Sequence, residues 1–537
     1  LRLGSVTSVD ERNSQTIYKG DEIIEVLTTR NFIIESETVN VNFVMRKESQ
    51  AGEGTIVVEE NATGVSFNSI KRTHVEWTMT SLNGQPYYKI KVLEPKGLVK
   101  RATPTIVYIN LWRDSRVPVG KSVAPYNIIL RTGRSVVAFD GDPVDPNNPE
   151  MMHINTLQID NAAGVYLPTT PANPAGEFTV DIENIILNGN GITFDGRCLV
   201  KDSVKLKGHN GKYTLAAVDG TVDVSGGNSI ISVTGNMGRL GIHGDNNVVS
   251  VAGNVTEQLG WNAPNGGLTV SGQCGSLNVT TENARMDINS VVGNVYMETI
   301  SGNLHINEVT VGGLVFTVKN NGLASINVGR VNGAVGIPEM GLGSVYITNV
   351  CGDVFITSDK KNAGPVTVSF DPEIDTNPSV RIIGYDGKIT VSNIRGTTDI
   401  SVRDALPEGG KGAGTGLANI DAHFMRVDED VNITANMGYV NGHKDTANVT
   451  VRLNEPTCAV LTVVGTSVAE IKNSAQPYIP NTGNSGQNKV FYLYDRTTIT
   501  TPLVDENTFW AIIEGVLGEP VVRSHITVKT STIFTML

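Results

Sequence analysis

Short runs of alternating apolar and polar residues, each introduced by a glycine, recur along the middle of the chain. Glycine marks a turn, and an apolar-x-apolar triplet such as the one in Gly293-Asn-Val-Tyr-Met marks a short strand. Strands of this length cannot bury their apolar faces alone, but coils stacked on one another can, so the repeat predicts a β-solenoid. The turn glycines are residues 293, 302, 313, 322, 333, 343 and 352, at intervals of 9, 11, 9, 11, 10 and 9 residues.

The intervals leave the number of strands per coil open. Alternate intervals combine to 20, 20 and 19 residues, which fits a coil of two strands. A coil of three strands and roughly 30 residues fits nearly as well. We expect the solenoid to be right-handed, because parallel crossover connections are overwhelmingly right-handed.

Within each triplet, the flanking residues are predicted to face inward and the middle residue outward. The outward residues should therefore form ladders on a flat, rigid face, with one residue on each coil. The predicted inward pairs are Val295/Met297, Leu304/Ile306, Val345/Ile347, Val354/Ile356 and Ile389/Val391, and the predicted outward residues are Tyr296, His305, Tyr346, Phe355 and Thr390.

The pattern divides the chain into three regions. Residues 1–177 contain strand-like alternation without a clean repeat, as in Asn31-Phe-Ile-Ile-Glu and Tyr87-Tyr-Lys-Ile-Lys-Val. Residues 178–404 are predicted to form the parallel β-helix, beginning with strands and Asn-Gly corners after Asn184. Residues 405–537 combine strands, long loops and a predicted capping helix over 507–518. The fold class is therefore all-β, with a β-rich N-terminal region and an irregular C-terminal region.

Composition narrows the possible functions. The 537-residue chain has a net charge of −12, which argues against binding to nucleic acid phosphates. It contains no apolar run long enough to span a membrane. Because the chain starts at Leu1 rather than methionine, we expect that a leader or anchoring segment has been removed. Four widely spaced cysteines disfavour a zinc site and predict buried single thiols, with a disulfide left open.

Motifs for catalysis are weak. Glycoside hydrolases need two carboxylates that face the scissile bond, and the chain has no adjacent Asp-Asp pair. The best carboxylate cluster is Asp140, Asp142 and Asp145, but Val144 stands where a calcium ligand would be needed. We therefore predict no catalytic residues, no resident metal and no cofactor.

Exposed aromatic residues offer a different chemistry, because aromatic rings stack on the apolar faces of sugars while polar groups bind the hydroxyls. Under either coil count, Tyr296 and Phe355 are predicted to share one face. Trp77 and Trp112 are predicted to lie in the core, whereas the polar surroundings of Trp261 predict an exposed loop. The candidate carbohydrate-binding residues are Trp261, Tyr296, Tyr346, Phe355, Tyr478, Tyr492, Tyr494 and Trp510.

The Asn-Gly corners and the Gly-x-Val-x-Val rungs over residues 178–402 resemble those of right-handed parallel β-helix proteins. Within that group the chain is most similar to the tapirins, the cellulose-binding adhesins encoded beside type IV pilus genes. The similarity lies in the absent pilin-like N-terminus, the β-rich first region, the β-helix, the lack of catalytic motifs and the length. It implies an extracellular, cell-surface protein that binds cellulose and contacts pilus or surface components through the absent N-terminal segment. It transfers no individual residue.

Three hypotheses follow from the sequence. The first is a non-catalytic adhesin that binds an insoluble plant polysaccharide, cellulose above all, through exposed aromatic rings. The second is a polysaccharide lyase or glycoside hydrolase of the β-helix type. The third is a structural surface protein or phage-tail component whose β-helix assembles with other copies.

Overall fold

The protein is described here from a computed structural model. The structure describes residues 180–320, 322–358, 364–385 and 388–403 continuously. Elsewhere it describes the strands given below, the turns at 83–84, 132–135 and 162–163, and residues 167 and 425. The chain divides into two compact units, Leu1–Gly272 and Gln273–Leu537.

The strands of the first unit begin with a region of mixed pairing and continue into parallel coils. In chain order they are β1 Val6–Tyr18, β2 Asn31–Ser36, β3 Val41–Lys47, β4 Gly54–Val65, β5 His74–Leu82, β6 Gln85–Leu93, β7 Val99–Arg101, β8 Thr105–Leu111, β9 Tyr126–Arg131, β10 Val136–Asp140, β11 Met152–Asn161, β12 Gly164–Tyr166, β13 Val180–Leu187, β14 Thr193–Leu206, β15 Lys212–Val224, β16 Ile230–Val233, β17 Met237–Ile242, β18 Asn247–Val251 and β19 Val255–Asn262.

Strand β20, Asn265–Thr280, contains the boundary between the units, and the later strands belong to the second unit. They are β21 Asn283–Val291, β22 Val295–Thr299, β23 Asn303–Val309, β24 Leu314–Val318, β25 Ser325–Val331, β26 Val335–Glu339, β27 Ser344–Val350, β28 Val354–Thr357, β29 Val366–Phe370, β30 Val380–Tyr385, β31 Lys388–Ile394, β32 Thr398–Arg403, β33 Ala418–Phe424, β34 Val431–Asn436, β35 Tyr439–Val440, β36 His443–Lys444, β37 Ala447–Leu453, β38 Leu461–Gly465, β39 Ala469–Asn473, β40 Thr497–Thr501 and β41 Thr527–Thr530.

Residues 182–401 form a parallel β-solenoid of about 11 turns, and the described residues are all-β without a helix. In the second unit each strand pairs in parallel with the strand two places later, so the coils build two sheets. The even sheet contains β22, β24, β26, β28, β30 and β32, and the odd sheet contains β21, β23, β25, β27, β29 and β31. Each coil therefore contains two strands, which decides between the two coil counts that the intervals allowed.

Coil length follows from the register of the even sheet. Val295 pairs with Leu314, Leu314 with Val335, and Val335 with Val354, so successive coils take 19, 21 and 19 residues. These lengths match the combined glycine intervals of the sequence. The alternation predicted within each triplet is confirmed, since both flanking residues of all five predicted pairs are buried.

Stacked corners explain why glycine recurs at a fixed interval. A Cβ atom on Gly333 would lie 2.5 Å from the carbonyl oxygen of Gly312, and one on Gly352 would lie 2.5 Å from that of Gly333. Gly312 in turn stacks on Gly293, where a Cβ atom would lie 2.2 Å from the backbone. The corners of neighbouring coils are therefore too close for any side chain.

Asparagine makes a second kind of corner in the first unit. Asn210, Asn228 and Asn246 adopt left-handed backbone conformations with φ of 57°, 55° and 55°. Asparagine tolerates this conformation better than most residues do. Each donates its backbone N–H to a carbonyl oxygen on the next coil, as Asn228 does to Asp245 at 2.8 Å. The repeat of the corner thus carries a repeated inter-coil hydrogen bond.

The N-terminal strands predicted around Asn31, Val75 and Tyr87 are present as β2, β5 and β6. Parallel stacking starts earlier than residue 178, because β2 pairs in parallel with β9 and β9 with β11. The right-handed coil and the boundaries at 177 and 404 stay predictions. The capping helix over 507–518 and the core positions of Trp77 and Trp112 concern residues or side chains outside those described.

Candidate functional site

The outward residues of the even sheet form one continuous column along the second unit. The register aligns Tyr296 with Val315, Val315 with Gly336, and Gly336 with Phe355. Tyr296 and Phe355 each expose 40% of their surface although both are large and apolar. The two rings are three strand spacings apart, about 14 Å along the stack.

The residues that precede each strand form a second column beside the first. Asn294, Gly313, Ala334 and Asp353 occupy successive coils, and the backbone N–H of Gly313 donates to Asn294 Oδ1 at 3.0 Å. Asp353 Oδ1 accepts the backbone N–H of Ser379 at 2.7 Å. The column is therefore small in the middle and polar towards both ends.

Together the two columns line a depression that we call the aromatic groove. Its floor is made of small or medium side chains on the two central coils, and its walls are the larger side chains on the coils to either side. The floor consists of Gly313, Val315, Ala334 and Gly336, and the walls consist of Asn294 with Tyr296 and Asp353 with Phe355. The site is thus concave, whereas the outward ladder had predicted a flat face.

Charged side chains surround the groove in pairs. Lys319 Nζ lies 3.7 Å from Glu298 Oε2 and 3.9 Å from Glu339 Oε2. Arg381 Nε lies 3.5 Å from Asp399 Oδ2. The Arg381 guanidinium carbon is also 5.9 Å from the centroid of the Phe355 ring, within the range of a cation–π contact. Opposite charges therefore accompany each other at the rim.

Tyr296 keeps its phenol neutral well above neutral pH. Loss of hydration raises the pKa of Tyr296, and a hydrogen bond from its hydroxyl to Glu298 Oε2, at 3.2 Å, raises this pKa further. The negative charge of Glu298 acts in the same direction because it disfavours a phenolate nearby. The ring can therefore offer an apolar face with a fixed polar edge.

Tyr346 lies on the other sheet. It is 50% exposed, as predicted, but it belongs to the odd sheet, where its neighbours in register are Asn327 and Thr367. The structure therefore brings Tyr296 and Phe355 together and leaves Tyr346 apart from them. Tyr478, Tyr492, Tyr494 and Trp510 lie outside the described residues.

The prediction that Trp261 lies on an exposed loop is wrong. Trp261 sits in β19, in register with Ile242, and is only 1% exposed. Its indole Nε1 donates to the backbone oxygen of Ala263 at 3.2 Å, which satisfies the one polar atom of the buried ring. A ring buried in this way cannot stack on a sugar at the surface, so Trp261 leaves the set of candidate contacts.

The cysteines are mostly buried, as predicted. Cys198 and Cys274 are buried, Cys351 is half-buried, and none of these three forms a disulfide. Burial raises the pKa of the Cys274 thiol to about 12. Cys458 lies outside the described residues.

Within the part of the chain that the structure describes, no three His, Cys, Asp or Glu side chains come together as a metal site. Asp142 and Asp145 of the predicted carboxylate cluster fall outside that part, as does the side chain of Asp140. The described residues also contain no helix of the length and hydropathy that a membrane span needs.

Fold and site define a parallel β-solenoid with an aromatic groove on one sheet. Comparison with protein-family models, with curated proteins and with solved structures found no match. The groove was missed by sequence reasoning because its floor consists of residues without obvious chemistry. The one signal in the sequence is Gly336, which stands at a strand position where the neighbouring coils have Val315 and Phe355.

Proposed function

We propose that this protein is a non-catalytic extracellular adhesin that binds a plant polysaccharide, cellulose in the first instance, through the aromatic groove. The observation that carries the proposal is the pairing of two exposed rings, Tyr296 and Phe355, on one column of a rigid sheet. Exposed aromatic side chains on a preformed surface bind sugar rings by apolar burial, and polar groups at the edges give direction to the contact.

Polar groups for such contacts stand beside both rings. Asn294 and Asp353 line the groove, and Glu298 accepts the hydrogen bond from Tyr296. Hydroxyl groups of a sugar can donate to these carboxylates and accept from the asparagine amide. Attachment at the cell surface, through components that bind a segment preceding Leu1, belongs to the same proposal and follows from the resemblance to the tapirins.

The experiment is a binding isotherm for the purified chain on cellulose, with xylan, chitin and pectin in parallel and with soluble sugar measured in the supernatant. Tyr296→Ala and Phe355→Ala are each expected to weaken binding by about 1–2 kcal/mol, which is roughly 5- to 30-fold. Tyr346→Ala is the matched control, because it removes an equally exposed ring from the other sheet.

Two results would contradict the proposal. Unchanged binding in the Tyr296→Ala/Phe355→Ala double variant would show that the groove is not the binding surface. Release of soluble sugar would favour the lyase or hydrolase hypothesis and direct attention to Glu298 and Glu339, the carboxylates nearest to the Tyr296 side of the groove.

A further inference from the structure

Gly336 is a glycine that neither the backbone nor the packing requires. A Cβ atom there would meet its nearest neighbours, Leu314 O and Val315 Cγ2, at 3.9 Å, which is ordinary van der Waals distance. Its φ angle lies outside the left-handed region. By contrast, a Cβ atom on Gly313, also on the groove floor, would lie 2.8 Å from Ala334 O. The fold thus accounts for Gly313 but not for Gly336.

Glycine within a strand destabilises it by about 0.5–1 kcal/mol relative to alanine, so a strand glycine without a structural reason points to another use of the space. Gly336 lies in the middle of β26, directly between Val315 and Phe355 in register. The space that its absent side chain leaves is at the centre of the aromatic groove. A β-branched residue there, which would suit the strand, would fill this space.

The shape of the groove selects for a narrow ligand. Its floor is only two coils wide, since Tyr296 stands on the coil before Val315 and Phe355 on the coil after Gly336. Wall to wall, the backbones are about 14 Å apart. A single glycan chain can enter a depression of this width between two raised rings, whereas the flat face of a polysaccharide crystal would rest on the rings and leave the floor empty.

The charges at the rim select for an uncharged ligand. Arg381 is paired with Asp399, and Lys319 with Glu298 and Glu339, so neither cation is left to attract an anionic sugar. Asp353 adds an exposed carboxylate at the wall. A chain of uronic acids would meet this negative charge without a compensating cation, while a neutral chain would donate hydroxyl groups to it.

We propose that the aromatic groove takes one uncharged glycan chain, seated over Gly336 between Tyr296 and Phe355, and that Gly336 is the residue that selects a single chain over a crystal face. This inference rests on the proposed function and specifies the ligand of the same site.

The test uses the full chain and isothermal titration with soluble β-1,4-linked glucan oligosaccharides, oligogalacturonate and microcrystalline cellulose. Gly336→Val is expected to weaken binding of the neutral oligosaccharide at least tenfold. Gly260→Val is the matched control, because Gly260 also lies in a strand and a Cβ atom there would have its nearest neighbour, Leu240 O, at 3.8 Å. Thermal unfolding of both variants confirms that the substitutions leave the fold intact.

The outcomes separate this inference from the proposed function. Loss of binding in Gly336→Val, with Gly260→Val unchanged, supports the inference. Wild-type affinity in Gly336→Val, together with weakened binding in Tyr296→Ala, overturns it and leaves the proposed function standing. Binding to microcrystalline cellulose without binding to soluble chains does the same, as does tighter binding of oligogalacturonate than of the neutral glucan. Absence of binding to every glycan overturns both.

Discussion

Trp261 is held inside the first unit by its register and by a glycine opposite it. Gly266 has a φ of 137°, which glycine alone adopts readily, and a Cβ atom there would lie 2.6 Å from the Trp261 ring. The glycine therefore serves both the backbone and the space for the indole. Since Ala263 O accepts the indole N–H, burial of this polar atom is compensated.

Replacing Trp261 with alanine should open a large cavity in the first unit. We expect Trp261→Ala to lower the free energy of unfolding by about 3–5 kcal/mol, the usual loss for a fully buried aromatic residue. Chemical denaturation followed by circular dichroism measures this change. Tyr346→Ala removes a half-exposed ring and should change stability by no more than about 0.5 kcal/mol. Equal effects of the two substitutions would contradict the burial of Trp261.

At the scale of the strand and its corner, two glycines only three residues apart have opposite roles. Gly333 stands at a corner where the backbone of the neighbouring coil leaves no room for a side chain. Gly336 stands in a strand with space in front of it. The contrast arises because corners stack directly on one another, whereas the outward positions of a strand face solvent.

The pair gives a sharp stability test. Gly333→Ala would bring Cβ within 2.5 Å of Gly312 O, and the resulting overpacking is expected to lower the free energy of unfolding by about 1–3 kcal/mol. Gly336→Ala is expected to leave it unchanged or raise it by about 0.5–1 kcal/mol, because alanine loses less conformational entropy in a strand. Urea denaturation of both variants decides. Loss of stability in Gly336→Ala would show that the fold requires this glycine and would remove the basis for a ligand-selecting role.

Much of the strand pattern could be predicted from the sequence, because burial and turn chemistry act locally. The inward positions of Val295 and Met297, and the outward positions of Tyr296 and Phe355, follow from alternation alone. The coil count did not follow, since pairing depends on which strand lies above which. The burial of Trp261 was hidden for the same reason: its fit requires Ile242 below it and Gly266 beside it, two residues that adjacency along the chain does not bring together.

The groove was unpredictable for a related reason. Gly336 gains its meaning only when Val315 and Phe355 are known to be its neighbours in the stack, and this depends on successive coil lengths of 21 and 19 residues. One additional residue in either coil would turn the outward column inward, because side chains alternate along a strand. The aromatic residues could be proposed individually, but not the concave surface between them.

At the scale of the whole chain, stability comes from many similar contacts between neighbouring coils. In a solenoid each coil interacts chiefly with the coils beside it, so the total is close to a sum of local terms. A ligand in the aromatic groove would contact four successive coils of the second unit, from β22 to β28 on the even sheet. It should therefore add coupling between these coils that the uncomplexed chain lacks.

Ligand binding is accordingly expected to stabilise the chain and to do so on one sheet. A neutral glucan oligosaccharide at 100 times its Kd should raise the free energy of unfolding by about 2.7 kcal/mol through mass action. Hydrogen exchange measured by mass spectrometry should slow in residues 294–297, 313–316, 334–337 and 353–356, which line the groove, because local opening becomes rarer when ligand spans these coils. Gly336→Val should show neither change, which separates occupancy of the groove from a general effect of added sugar. Slower exchange confined to β25 and β27, the strands around Tyr346 on the odd sheet, would place the ligand on the opposite sheet and contradict the groove as its binding site.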